Sequence, residues 1–110
     1  MPDKSSDLVQ GTLDMLVLKT LALEPMHGYG ISVRIEQISE GVFRLNAGSL
    51  FLAIQRLERD GLIQSEWKPT ENNRKAKYHA LTQKGRRRLN NETREWGRQV
   101  AAIARILEAS

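Results

Sequence analysis

Apolar residues recur along this chain in two rhythms, and the rhythm changes where turn-forming residues intervene. From Thr12 to Leu23 the spacing predicts a helix, with Leu13, Leu16, Val17, Thr20 and Leu21 on its inner face. Met15 and Leu18 fall elsewhere on the wheel and are also apolar. A helix apolar nearly all round needs cover on more than one side. In so small a domain the second cover is expected from another subunit. Pro25 stops this helix. His27-Gly28-Tyr29-Gly30 reads as a tight link, and Ile31, Ile35 and Ile38 define a second helix ending near Gly41. Val42 to Leu45 reads as a short extended piece, and Asn46 is a good N-cap for a third helix. In that helix Leu50, Ala53, Ile54 and Leu57 make one apolar face, while Ser49, Gln55, Arg56 and Arg59 lie off it. Asp60-Gly61 ends it, because glycine accepts the left-handed cap conformation at little steric cost.

The period then shortens from helical to two. Ile63, Ser65 and Trp67 alternate with Gln64, Glu66 and Lys68, as in a half-buried strand. Pro69 to Asn73 is turn chemistry. Ala76, Tyr78 and Ala80 alternate with Lys75, Lys77 and His79, giving a second strand with one neutral and one basic face. Thr82 is placed to cap a last helix. In it Leu89, Thr93, Trp96, Val100, Ile103 and Leu107 follow a 3.5-residue seam. Such a narrow seam has little left in its own domain to pack on. The pattern therefore predicts a mainly α fold with a small β-hairpin wing. It is a winged helix-turn-helix at residues 1–81 plus a long C-terminal dimerisation helix at 82–110, in one compact unit. Residues 1–7 are polar and expected to be disordered.

Composition bounds the chemistry. At 110 residues this is one domain. The absence of cysteine excludes disulfides, thiolate zinc and a thiol nucleophile. His27 and His79 are far apart and lack a companion at ligand spacing, so no metal site is expected. Ser49 has no His/Asp constellation, so no enzyme and no cofactor are expected. No run is apolar enough for a signal peptide or membrane span, and the expectation is a soluble cytoplasmic protein without a membrane partner. The net charge of +4 is unevenly spread. Lys68 to Arg94 holds nine Lys/Arg against two Glu, leaving the rest slightly negative. A basic segment on a near-neutral body is the footprint of an anionic polymer. Arg86, Arg87 and Arg88 oppose the dipole of the last helix, which suits either phosphate contact or a solvated patch.

In this architecture the third helix enters the DNA major groove. Asn46 and Ser49 mark its start, where free backbone N–H groups can hold a phosphate. Gln55 and Arg56 are the candidates for reading bases, pairing bidentately with adenine and guanine. Phe51 either completes the core or touches a thymine methyl or sugar. Arg74, Lys75 and Lys77 surround the wing tip and suit phosphates. Leu13, Met15, Leu18, Leu89, Trp96, Val100, Ile103 and Leu107 are the expected dimer interface. Trp96 and its symmetry mate could also line a slot for flat aromatic ligands.

Three landmarks carry a family resemblance: GTLDMLVLKTLALEPMHGYGI at Gly11–Ile31, AGSLFLAIQRLERDGLI at Ala47–Ile63, and ALTQKG at Ala80–Gly85. With them the chain resembles the PadR-like transcriptional regulators over about Leu8 to Leu107, in the branch with a single short final helix. The resemblance implies a homodimer whose final helices pack on the partner's first helix. That sets two recognition helices about one DNA turn apart on a palindromic operator. It implies a repressor, responsive in some members to a small aromatic effector, and it puts Tyr29 near the DNA backbone. The family's usual Tyr-Pro stands here as Phe51-Leu52, which removes a hydroxyl and restores a backbone N–H. A winged-helix module that binds protein rather than DNA is the alternative that this departure keeps open.

Overall fold

The computed structural model describes residues 4–110, with side chains from Thr12 onward. Among these it forms four helices and three strands: α1 (Lys4–Leu23), β1 (Met26–His27), α2 (Gly28–Ile38), α3 (Ala47–Arg59), β2 (Ile63–Pro69), β3 (Lys75–Leu81) and α4 (Gln83–Glu108). The expected disorder over 1–7 falls partly on residues outside the described ones, while Lys4 to Asp7 form the start of α1. The antiparallel sheet has the order β1-β3-β2. The winged-helix architecture with a long last helix is as the periodicity predicts.

α1 is the axis of the core. It packs against α2, α3, α4 and β3, and Leu13, Val17, Leu18 and Leu21 are all buried. Leu18 is 0% exposed, so its cover comes from the same chain. This corrects the placement of Leu13 and Leu18 in a dimer interface. A domain with one central helix closes around it on every side, and no second subunit is required for these two. Leu89, at 6% exposed, joins the same cluster and leaves the interface for the same reason. Met15 is half-buried against the core.

The His27–Gly30 segment is not a link. Met26 and His27 pair with His79 and Tyr78 as a third strand, and α2 begins at Gly28. His27 caps it, its Nδ1 accepting from the Gly30 N–H at 3.0 Å. A two-residue strand has no period of its own, so only the β3 edge reveals it.

α3 keeps to its sequence pattern closely. Asn46 Oδ1 accepts from the Ser49 N–H at 3.0 Å, and Leu50, Ala53, Ile54 and Leu57 face inward. Gly61, at φ +74°, turns the chain into β2. The hairpin turn closes with Thr70 and Arg74 bonded, and Asn73 takes φ +60°, which asparagine tolerates better than most residues.

One junction ties the end of α3 to the start of α4. Thr82 Oγ1 accepts from the Gly85 N–H and donates to the Gly61 carbonyl at 2.8 Å. The Thr82 N–H reaches the Leu62 carbonyl at 3.1 Å. Gly85 is required there by close approach, since a Cβ would collide with the Leu62 carbonyl and crowd Leu81. Beyond Leu89 α4 leaves the body, and the molecule measures 59 × 34 × 23 Å. No helix among the described residues is long and apolar enough to cross a membrane.

Candidate nucleic-acid interface

The cross-strand register decides which face of the hairpin looks at α3. Ile63, Ser65, Trp67 and Pro69 stand opposite Leu81, His79, Lys77 and Lys75, so these eight share one face. At the base of the hairpin that face belongs to the core, where Ile63 and His79 are buried. Further out, the hairpin projects past the body. The same face there overhangs the side of α3 that does not pack inward.

Between them lies an open groove of about 1190 Å³. Leu50, Ile54 and Ala76 contribute apolar lining; Arg59, Arg74, Lys75 and Lys77 supply positive charge. Three aromatic rings border it: Tyr29 from the first turn of α2, Phe51 from α3 and Trp67 from β2. Glu58 is the acid of this groove, and its carboxylate holds Lys77 Nζ at 3.4 Å across the gap. That pair bridges helix and hairpin. Both groups are about a third or more exposed, so it contributes position more than stability.

At the root of the groove His79 Nδ1 and Ser65 Oγ share a 2.6 Å hydrogen bond. Burial lowers the His79 pKa below its ordinary value; Glu58 opposes this, and Lys77 and His27 add to it. The imidazole therefore stays neutral at neutral pH, and the root carries no extra positive charge.

The structure gathers Tyr29, Phe51, Gln55, Arg74, Lys75 and Lys77 around this groove. Asn46 and Ser49 lie at the α3 start, outside the groove lining. The Ser49 N–H is already taken by the Asn46 cap, so that amide is not free for a phosphate. Arg56 stands apart: its Nη2 donates to Asp14 Oδ1 at 2.9 Å, and it does not line the groove. On the helical wheel it flanks the buried stripe on the side away from the groove. Gly48, Leu52, Gln55 and Arg59 occupy the middle of the outward face instead.

Two groove residues escape a reading of the sequence alone. Trp67 alternates with polar neighbours, which suggests an inward residue, yet it is 66% exposed because the strand outruns the core. Arg59 stands out in the sequence only as lying off the apolar stripe; the helical period itself could have centred it on the outward face.

The candidate dimer surface also takes shape. Trp96, Val100, Ile103 and Leu107 are 43%, 44%, 53% and 78% exposed along one side of α4. At the near end Trp96 borders a hollow of about 580 Å³ with Met15, Leu16, Leu89 and Thr93. Among the described residues no cluster of His, Cys, Asp or Glu could hold a metal.

Residues 17–91 match the model of the transcriptional regulator PadR-like family. A transcriptional regulator from Clostridium thermocellum superposes with a TM-score of 0.85 at 25% identity, covering 96% of this chain and 100% of that one. A PadR family transcriptional regulator from Eggerthella lenta superposes with a TM-score of 0.78 at 31% identity, covering 94% of this chain and 88% of that one. An uncharacterised protein of Lysinibacillus sphaericus is 27% identical over 103 residues, 94% of either chain. With this fold, this groove and these likenesses, the chain belongs to the PadR-like family and is a transcriptional regulator rather than an enzyme.

Proposed function

We propose that this regulator binds DNA sequence-specifically as a homodimer and represses transcription from a palindromic operator. The observation that carries the reading is the groove, where four basic side chains and the outward face of α3 share one concave surface. α3 enters the major groove, and Gln55 with Arg59 faces base edges. The wing residues Arg74, Lys75 and Lys77 neutralise the adjacent phosphates. Residues 1–81 form the DNA-reading unit, and 82–110 supply the dimer contact. The exposed seam Trp96, Val100, Ile103 and Leu107 supports pairing of α4 with a second copy. The hollow beside Trp96 suits a small planar aromatic effector, whose binding would shift the spacing of the two reading helices.

A salt titration of binding to the chain's own upstream DNA tests this. Affinity is expected to fall steeply with salt. Lys75→Ala with Lys77→Ala is expected to flatten the log–log slope by about 1–2 units. An unchanged slope removes the phosphate role. No binding even at low salt rejects the DNA reading in favour of a protein-docking module, which the exposure of Phe51 and Leu52 would then serve.

A further inference from the structure

The groove holds more apolar surface than phosphate binding needs. Trp67, Phe51 and Tyr29 border it at 66%, 59% and 77% exposure. A hairpin that only needed to reach phosphates would carry Lys and Arg there and no indole. Trp67 also stands directly opposite Lys77 in the β2–β3 register, so an apolar plate and an ammonium share the same face of the wing. Along one DNA strand the matching pair is a deoxyribose and its phosphate: an apolar ring beside a charge, repeated at every nucleotide.

We propose that Trp67, facing Phe51 and Tyr29 across the groove, packs against the sugars of the strand whose phosphates Lys75 and Lys77 hold. The occupant is the backbone of duplex DNA, argued from the charge of the wing together with the aromatic border. This deepens the DNA-binding reading and rests on it. The contact is independent of sequence, because every nucleotide presents the same sugar. It is also nearly independent of salt, because burying an apolar ring releases no counterion. The two components of backbone affinity are thereby divided between neighbouring side chains: charge at Lys77, apolar burial at Trp67.

The experiment uses the whole protein and a random-sequence DNA duplex, measuring affinity by fluorescence anisotropy over a salt series. Trp67→Ala, Trp67→Phe and Lys77→Ala are compared with the wild type. Trp67→Ala is expected to weaken binding roughly fivefold to tenfold at every salt concentration with an unchanged slope. Trp67→Phe is expected to recover most of that loss. Lys77→Ala is expected to reduce the slope by about 1 unit. On a duplex of the chain's own upstream DNA, where binding has one register, hydroxyl-radical cleavage, which attacks exposed sugars, is expected to show protection under the wild-type wing that Trp67→Ala loses. The inference is overturned if Trp67→Ala matches the wild type in affinity and footprint, or if its loss appears as a changed salt slope. It is equally overturned if Trp67→Phe is as weak as Trp67→Ala. Failure of the wild type to bind the duplex at low salt rejects the underlying DNA reading, a result separate from all of these.

Discussion

α1 and α4 both carry more apolar residues than a single contact can bury, yet they end in opposite situations. α1 is wrapped by α2, α3, α4 and β3, and its Leu18 is fully buried. α4 is held by the body only at its start; beyond Leu89 its seam lies open, down to Leu107 at 78% exposure. The difference lies in the shape of the apolar surface and not in its amount. Residues distributed around the whole wheel suit the centre of a domain, where neighbours arrive from every direction. A narrow stripe at 3.5-residue spacing suits one long partner. Reading both helices as partner-facing overlooks that distinction.

The comparison is sharpest when the two helices are damaged separately. Leu18→Ala leaves a cavity at the centre of the protomer and is expected to cost about 3–4 kcal/mol of folding stability. Urea unfolding checks this, and the dimer constant of the surviving folded protein is expected to stay as in the wild type. Val100→Lys with Ile103→Lys is expected to do the reverse. Sedimentation should show dimer dissociation raised roughly hundredfold or more, because two charges enter an apolar contact. The near-ultraviolet dichroism of the body is expected to persist. If the α4 substitutions unfold the protomer, the separation of the two roles collapses.

The smallest effect concerns the base of the wing, which belongs to the α1-centred core. His79 is held neutral there by burial, so its folded pKa lies below the unfolded one. Above about pH 6.5 both states are neutral and the full stability is present. As pH falls below that, the unfolded chain takes up a proton that the folded chain does not, and stability declines until the lowered folded pKa is reached. Urea melts compared at about pH 7.5 and about pH 5.5 are expected to show this loss in the wild type and less of it in His79→Gln.

How much was legible depends on the range of each interaction. The third helix was readable in full, with its inner face, its Asn46 cap and its Gly61 stop, because all three act within one turn of their own residue. The hairpin was readable for the same reason. β1 was not, since two residues have no period and the pairing with Tyr78 and His79 is set by tertiary packing. The pairing of Arg56 with Asp14 was not legible, because the two lie 42 positions apart. The exposure of Trp67 was not legible, because alternation tells which residues share a face but not where the core beneath that face ends. The site was therefore legible as a list of elements and only partly as a set of side chains.

The Gly61–Thr82–Gly85 junction makes α4 a lever. Its fulcrum is a few hydrogen bonds and one glycine pressed against the Leu62 carbonyl, at the point where α3 stops. Beyond buried Leu89 the helix runs outward from Asn90 to Glu108, an arm of about 28 Å. A tilt of only about 10° at its root would carry the far tip through roughly 5 Å, close to one helical turn. Sub-ångström changes around Gly85 are thus magnified at the far end. A substitution that merely relaxed this glycine could redirect the arm while leaving the body folded.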